Sequence, residues 1–545
     1  MEKRDKRWKV ISLKIISTGK YSHTQNFYKV VICGLVVAFV SLSCAIGVLD
    51  QNDPLFNAPI GMGQWRPTPL VEYTADIPIA TEMSDPPAEV ILPLPTDDPT
   101  PTSIPTDAAP LLYYTQAGDT LPVVAIRFGV DASEITAPTG TFPATGLLTP
   151  NTLLIIPHRL VNTTSSAKII PDSELIFSPS AIDFDIATYV SQAGGYLSTY
   201  REWLGSTQWT SGAEVIHRVA LENSINPRLL LALLEYQSGW VYRQPANLVQ
   251  EDYPLGKVDL PMKGLYSQLA WAVNQLSIGY YGWREGWLTE FRFSDGVSAR
   301  LAPDLNNGTV AIQYYMAQVY DTPGWLGAID PNTGIPALYE QMYGNPWDIA
   351  MGVEPLYPPN LSQPDFILPF ILEQVWAYSG GPHGAWERDG SRAAVDFAPA
   401  STESGCIPSY AWIVASAPGL IVRAANGVVV EDLDGDGYEQ TGWNILYLHV
   451  NSMRVEVGDW VETSDILGHP SCEGGIATGT HVHIARKYNG EWISADGPLP
   501  FVLSGWTVHA GSKPYEGTMT NGSATVYSSL WGEHGSQIIR PRVNP

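Results

Sequence analysis

The pair of histidines in His481-Val482-His483 is the part of this 545-residue chain most able to do chemistry. The residues around it, 480–484, are mostly apolar or β-branched, which predicts a short strand. Residues i and i+2 of a strand face the same side, so both imidazoles can enter one cleft while Val482 packs behind them. Two histidines do not complete a catalytic zinc site, because such a site usually takes three protein ligands and leaves a fourth position for water.

Further candidate ligands lie upstream, in the segments GGPH (ending at His383), AVD (ending at Asp396) and YLH (ending at His449). Together with GTHVHIA at 479–485, these segments resemble the lysostaphin-like zinc metallopeptidases, and they are most similar to the staphylolysin and beta-lytic branch. Many members of the family have a His-x-x-x-Asp motif, which would place Arg392 at the first ligand position. The wider spacing of the beta-lytic branch gives that position to His383.

The resemblance implies a role for each of these residues. His383, Asp396 and His483 match the ligands of one Zn²⁺ per chain, and His449 and His481 match the catalytic histidines. Zinc lowers the pKa of its bound water to about 7 and polarises the scissile carbonyl, and a histidine near its ordinary pKa of about 6.5 can take the water's proton. The implied activity is hydrolysis of amide bonds in peptidoglycan peptides. The alternative is a catalytically inactive, wall-binding adaptor that activates another hydrolase.

The elements that must position these residues are short strands. Alternating segments at 420–423, 427–430 and 444–449 predict an antiparallel β-rich peptidase domain over residues 373–515, followed by a C-terminal extension at 516–545. The cysteines at 406 and 472 fall in this part of the chain, and two cysteines in an exported domain usually pair; two free thiols are the alternative. Asp432, Asp434 and Asp436 form either an acidic hairpin turn or a Ca²⁺ site.

Residues 181–372 are predicted to be mainly helical. An amphipathic stretch covers 213–222, and Pro227 opens the apolar run 229–234 at a permitted first-turn position. The segment 225–240 resembles the one that carries the catalytic glutamate of lytic transglycosylases, but Gln237 stands in its place and cannot donate a proton as a carboxylic acid does. We therefore expect a degenerate lysozyme-like domain; an active transglycosylase and an unrelated helical scaffold are the alternatives.

A smaller unit is predicted at 111–159. Its strand–helix–helix–strand pattern, with YTQAGDTLPVVAIRFGV and NTLLIIP, resembles a LysM domain. The resemblance implies a βααβ fold that binds N-acetylglucosamine-containing glycan, chiefly peptidoglycan. A LysM fold that no longer binds sugar is the alternative. The whole chain is thus expected to be a multidomain α+β protein.

The N-terminal region indicates where the protein works. A basic tail (1–29) precedes an apolar run (30–49) long enough to span a membrane, and a Pro/Thr-rich linker (50–110) follows. The run is a membrane anchor, a lipoprotein signal ending at Cys44, or a cleaved signal; each places the remainder outside the cytoplasm. Eight of the 30 Lys and Arg and two of the 55 Asp and Glu lie in residues 1–49, which leaves 22 basic and 53 acidic residues and excludes nucleic acid as a partner.

Overall fold

The computed structural model describes residues 108–542 except 139–141, 144 and 402, and these residues belong to one compact unit. The predicted basic tail, the membrane or signal segment and nearly all of the linker lie outside the described residues. Within the part of the chain that is described, no helix is both long enough and apolar enough to cross a membrane.

The first described unit is a two-stranded antiparallel sheet with one helix. Its elements are β1 (Leu111–Tyr114), α1 (Leu121–Phe128) and β2 (Leu153–Ile156). Thr120 caps the start of the helix, where its hydroxyl accepts a hydrogen bond from the Val123 amide, and Gly129, with φ 66°, caps its end. The predicted second helix is instead a 3-10 turn, because Thr136 pairs with Ile155 and holds the chain after the turn extended.

Helices dominate residues 172–350. They are α2 (Asp172–Leu175), α3 (Ile186–Ala193), α4 (Gly212–Asn223), α5 (Pro227–Ser238), α6 (Leu248–Asp252), α7 (Leu265–Glu285), α8 (Asn307–Val319), α9 (Thr322–Ala328), α10 (Ile335–Tyr343) and α11 (Pro346–Ala350). Two hairpins interrupt them: β3 (Arg201–Leu204) with β4 (Gln208–Ser211), and β5 (Glu290–Arg292) with β6 (Ser298–Arg300). Pro227 is the first residue of α5, where its missing amide costs no hydrogen bond.

Strands dominate the rest of the chain. They are β7 (Val375–His383), β8 (Ala394–Pro399), β9 (Ile413–Val414), β10 (Gly419–Ala425), β11 (Val428–Asp432), β12 (Trp443–Leu448), β13 (Val450–Asn451), β14 (Trp460–Val461), β15 (Ile466–Pro470), β16 (Val482–Tyr488), β17 (Glu491–Trp492), β18 (Val502–Leu503), β19 (Trp506–Ala510), β20 (Gly517–Asn521), β21 (Ala524–Tyr527) and β22 (Gln537–Ile539). The main sheet has the order β14-β10-β11-β12-β16-β8-β7-β22, with β17 paired to β16.

Both faces of the main sheet are buried, by different partners. Alternate residues of β11 and β12, such as Val430 and Leu446, belong to the same apolar cluster as the helices. Their neighbours, such as Val429 and Ile445, belong to a second cluster on the opposite face, which also includes residues of β15, β18 and β19. Because side chains alternate across a strand, the helical region packs against one side of the sheet, at strands such as β11 and β12.

The predicted C-terminal extension is not separate from the peptidase domain. β20 and β21 join β18 and β19 in a four-stranded sheet, and β22 pairs with β7 at the edge of the main sheet. The boundary expected at residue 515 therefore falls inside this part of the fold. The sequence contains no long-range signal that would have paired residues 537–539 with residues 375–377.

The small N-terminal unit is fixed to the helical region. The Arg127 guanidinium forms an ion pair with Asp119 (2.8 Å) and donates to the Trp283 carbonyl of α7 (2.8 Å). Gln116 donates to the Asp304 carbonyl (3.2 Å). Buried, charge-assisted contacts of this kind hold two elements in one geometry. The N-terminal unit therefore packs against the helical region in a fixed position and is not joined to it only by a flexible linker.

Candidate metal centre

Three adjacent strands bring together the three predicted metal ligands. His383 ends β7, Asp396 lies in β8, and His483 lies in β16. His483 is directly opposite Asp396 in the pairing of β16 with β8. The flanking residues of Asp396 and His483 point into the cluster on the far face of the sheet, so both ligands face the side that the helical region covers.

The ligand atoms converge in a buried space. His383 Nε2 lies 3.3 Å and His483 Nδ1 lies 3.2 Å from Asp396 Oδ1. The two imidazole nitrogens are 3.0 Å apart. Each of the three residues is at most 5% exposed. One oxygen and two nitrogens at this spacing can bind a single ion from one side.

Backbone carbonyls determine which nitrogen of each ligand carries the proton. His383 Nδ1 is 2.8 Å from the Gly381 carbonyl, and His483 Nε2 is 3.0 Å from the Ala385 carbonyl. A carbonyl only accepts, so both of these nitrogens carry hydrogen and the opposite nitrogens offer lone pairs. Asp396 Oδ1 is buried and receives no hydrogen bond from the residues that the structure describes. Three acceptors facing one another without a donor fit a bound cation, and this ligand set suits zinc.

The charges of the site also favour a cation. Burial raises the pKa of Asp396, but the neighbouring histidines His383 and His481 outweigh burial and hold that pKa well below its usual range. Burial lowers the pKa of His383, yet the Asp396 carboxylate leaves it above its ordinary value. Burial lowers the pKa of His483. The centre thus contains a buried carboxylate that stabilises positive charge beside it.

Steric contacts explain why both residues before Pro382 in GGPH are glycines. A Cβ on Gly380 would lie 2.4 Å from Asp396 Oδ2, and a Cβ on Gly381 would lie 2.5 Å from the backbone carbon of Glu516. Real Cβ atoms do not approach other atoms so closely. Glycine therefore gives the carboxylate its position and lets the segment after β19 pack against β7.

The two predicted catalytic histidines lie beside the ligands. The His449 and His481 rings are 4.5 Å apart, and His481 Nε2 lies 3.7 Å from Asp396 Oδ1. His449 Nδ1 donates to the Glu473 carbonyl (2.8 Å) and His481 Nδ1 to the Gly479 carbonyl (2.7 Å), which leaves both Nε2 atoms with lone pairs. Burial lowers the pKa of His449 to about 3, with His481 and His483 adding to the effect, so this imidazole is neutral.

Sequence reasoning missed one residue of the site. Tyr515 stacks on the His383 ring at 4.1 Å, and its backbone exchanges hydrogen bonds with Gly381 and Pro382. Burial raises the pKa of Tyr515 to about 12, so its hydroxyl stays protonated. No motif marks this tyrosine; only the closeness of the 515–517 segment to β7 brings it to the centre.

The predicted disulfide is confirmed: Cys406 and Cys472 are bonded. Next to it, the Thr480 amide donates to the Gly405 carbonyl (3.1 Å), and the Thr480 hydroxyl donates to the Ile407 carbonyl (2.6 Å). The bridge thus ties residues 405–407 to the segment 472–480, whose carbonyls orient both His449 and His481.

The middle region offers no free carboxylic acid at the position singled out in the sequence. The Glu235 carboxylate accepts from the Val241 and Tyr242 amides, each at 3.0 Å, and pairs with Arg243, so it closes the end of α5. Gln237 Oε1 accepts from the Tyr320 hydroxyl at 2.8 Å. A second acidic group, Asp432, Asp434 and Asp436, has ligand atoms within 4.8 Å of one another.

A sheet that carries a His/Asp/His cluster beside two further imidazoles is typical of a metal-dependent hydrolase. Residues 168–359 match the family model described as "LasA, N-terminal domain". The chain is 24% identical over 363 residues to Protease LasA of Pseudomonas aeruginosa, an alignment that covers 63% of this chain and 79% of LasA. It is 35% identical over 88 residues to Lysostaphin of Staphylococcus simulans, which covers 15% of this chain and 18% of lysostaphin.

Among solved structures, the chain is similar to pseudoalterin, described as a novel M23 metalloprotease from the deep sea. The identity is 21% and the TM-score 0.28, over 33% of this chain and all of pseudoalterin. The similarities to protease LasA and lysostaphin support a LasA/lysostaphin-like metallopeptidase and the activity of a peptidase. The match at 168–359 covers most of the region predicted to be lysozyme-like, and it gives that prediction no separate support.

Proposed function

We propose that this protein is a zinc-dependent endopeptidase that hydrolyses amide bonds of peptidoglycan peptides. The observation that carries the proposal is the convergence of three donor-free acceptor atoms, from His383, Asp396 and His483, in one buried space. Protein nitrogens and a carboxylate in this number are the ligands of catalytic zinc, and they leave one position for water or substrate.

The protein's own groups then have distinct tasks. Zinc held by the three ligands would supply Lewis acidity to the scissile carbonyl and to a water molecule. His449 Nε2, neutral and with a free lone pair, accepts a proton during attack. His481 Nε2 lies close to the same place, and once it has taken up a proton the resulting imidazolium can donate it to the developing oxyanion or to the leaving amine. The carbonyls of residues 473 and 479 keep both rings in the required tautomer.

The other units of the chain fit a wall-bound enzyme. We propose that residues 111–159 are a LysM module for N-acetylglucosamine-containing glycan, and that residues 181–372 are a lysozyme-like domain without its catalytic acid. Glycan binding would raise the effective concentration of the peptidase near its peptide. A disulfide in the peptidase part supports an extracytoplasmic location, either membrane-anchored through residues 30–49 or secreted.

The test uses the full chain, loaded with zinc. We expect about one zinc per chain and release of new amino groups from insoluble cell wall, with both lost in His383→Ala. A matched control is His469→Ala, because His469 lies outside the cluster and stacks on Trp412. A zinc-loaded protein that binds the wall but releases no amino groups from varied walls or short glycine-rich peptides would contradict the proposal and favour the adaptor.

A further inference from the structure

The loop that joins β11 to β12 gathers three carboxylates that do not belong to the histidine cluster. Asp432 is fully buried at the end of β11, whereas Asp434 and Asp436 are exposed. One oxygen of each lies within 4.8 Å of the other two. None of the ion pairs among the described residues includes any of the three. Three anionic groups this close repel one another unless a cation lies between them.

The loop backbone fixes the buried carboxylate. Asp432 Oδ1 accepts from the Asp434 amide (3.2 Å) and Oδ2 accepts from the Gly437 amide (2.9 Å). Gly435 and Gly437 have φ values of 73° and 94°, which glycine adopts without strain. These bonds also form in an ordinary acidic turn, so they do not by themselves define a site.

An independent observation comes from the neighbouring strand. Asn444 is directly opposite Asp432 in the β11–β12 register, so the two side chains lie on the same face, with Cβ atoms about 5 Å apart. Asn444 is 1% exposed, and its Nδ2 donates to the Thr441 carbonyl in the loop (2.7 Å). Because that carbonyl only accepts, the amide orientation is fixed. The remaining Oδ1 is buried and has no donor within the described part of the chain.

A buried amide oxygen without a partner, beside a buried carboxylate, costs free energy that a cation would offset. We propose that this loop binds a calcium ion through carboxylate oxygens of Asp432, Asp434 and Asp436 and the side-chain oxygen of Asn444. Calcium prefers an all-oxygen set, whereas zinc prefers nitrogen and sulfur.

A further feature agrees with this assignment. Glu439, the other acidic residue of the loop, pairs with Arg423 and Lys487 and is not free to coordinate. Backbone carbonyls and water would complete the shell, so we expect a modest dissociation constant of about 10⁻⁵ to 10⁻³ M.

Terbium luminescence tests the proposal directly. The Trp460 ring lies against Gly435, 2.9 Å from where a Cβ would be, so it can sensitise Tb³⁺ bound in the loop. With the full chain, zinc-loaded and freed of calcium on a chelating resin, we expect saturable Tb³⁺ emission excited through tryptophan and competed by Ca²⁺. Asp434→Asn with Asp436→Asn should weaken binding at least tenfold. Asp348→Asn, an exposed acid on α11, should change nothing.

Thermal unfolding gives a second measurement. Calcium should raise the Tm of the wild type and of His383→Ala, but not that of the Asp434→Asn/Asp436→Asn variant. A calcium-induced rise of Tm in His383→Ala separates the calcium site from the histidine cluster. Failure of the calcium proposal therefore leaves the proposed peptidase activity unaffected. Trp460→Phe should reduce the sensitised emission and keep the Tm shift, and Trp443, which precedes Asn444, accounts for emission that remains. Absence of saturable emission together with no Tm shift, or equal binding by the double variant, would overturn the proposal.

Discussion

At the scale of single residues, the orientation of the imidazoles defines the centre more than their presence does. Each of the four clustered histidines has one ring nitrogen on a backbone carbonyl, so each presents its other nitrogen to Asp396 or to its neighbours. The sequence predicted which residues meet. His481 and His483 are two positions apart on a strand and so face the same side, and the resemblance to the zinc metallopeptidases supplied His383, Asp396 and His449. It could not predict the tautomers, because the Glu473 and Ala385 carbonyls come from loops distant in sequence, and the Gly381 and Gly479 carbonyls reach their histidines only through the local backbone conformation.

The first prediction concerns a ligand. His383→Ala should lose most of the zinc, because two remaining ligands in a buried space bind far more weakly than three. Metal content of purified protein, measured by inductively coupled plasma mass spectrometry, checks this. Full zinc occupancy in His383→Ala would mean that another residue completes the site.

The second prediction separates ligands from catalytic groups. His449→Ala and His481→Ala should each keep zinc and lose about 10²–10⁴-fold in turnover, the usual contribution of a positioned proton-transfer group. Metal content and rates on a short peptide substrate are measured on the same preparations. Loss of zinc from His481→Ala, with zinc retained by His483→Ala, would mean that these two histidines have exchanged roles.

A third prediction concerns Glu431, on the face of β11 away from the metal centre. The Tyr447 hydroxyl donates to the Glu431 Oε2 (2.7 Å), the Oε1 has no partner among the described residues, and burial raises the pKa of Glu431 to about 8. From its ordinary pKa of about 4.3 up to about 8, the folded state keeps a proton that the unfolded state has lost, so stability falls as pH rises through this window.

Glu431→Gln stays neutral and keeps the acceptor for Tyr447. It should therefore be more stable than wild type at pH 7, by at most about 4 kcal/mol, and the gain should vanish toward pH 4. Urea unfolding at several pH values with zinc in excess measures this. A stability difference that does not change with pH would contradict the raised pKa.

At the scale of elements, the spacing of His383 and Asp396 follows from how β7 meets β8. The register of the pair shifts twice, between Tyr378 and Gly380 and again before His383. The chain then leaves the sheet at 384–393 and returns at β8. The sequence predicted strands at the correct places and the pairing of Cys406 with Cys472. Register shifts depend on packing on both faces, which alternation of apolar residues does not encode.

The fourth prediction concerns the disulfide. Cys406→Ser with Cys472→Ser should cost about 2–4 kcal/mol of stability and lower turnover while zinc is retained. The reason is that the ligands lie on β7, β8 and β16, whereas His449 and His481 depend on carbonyls of the bridged segment 472–480. Zinc content, the free energy of unfolding and the rate of peptide hydrolysis are compared with and without reductant. Unchanged turnover would show that the loops hold the histidines without the bridge.

At the scale of the whole molecule, α7 joins units that the sequence predicted as separate domains. Arg284 donates to Glu491 beside β16 (2.9 Å) and to the Ala117 carbonyl of the N-terminal unit. The Asp389 amide, in the loop between the ligands His383 and Asp396, donates to Asn274 (3.0 Å). Domain boundaries were predicted from changes in composition, which do not reveal that two regions share one apolar cluster.

The fifth prediction follows from that shared cluster. Residues 373–545 expressed alone should aggregate or unfold, because Val428, Val430 and Leu446 would lose their partners and expose one face of the main sheet.

Co-expression with residues 160–372 as a separate chain should restore a soluble, zinc-binding complex. Arg284→Ala in the helical fragment removes the buried partner of Glu491 and should weaken that complex, whereas Arg292→Ala, whose hydrogen bond to the Gly296 carbonyl is exposed, is the matched control. Size-exclusion chromatography, circular dichroism and metal content distinguish the outcomes. A monomeric 373–545 fragment with cooperative unfolding and full zinc occupancy would show that the helices only cover the sheet, and that the peptidase part folds without them.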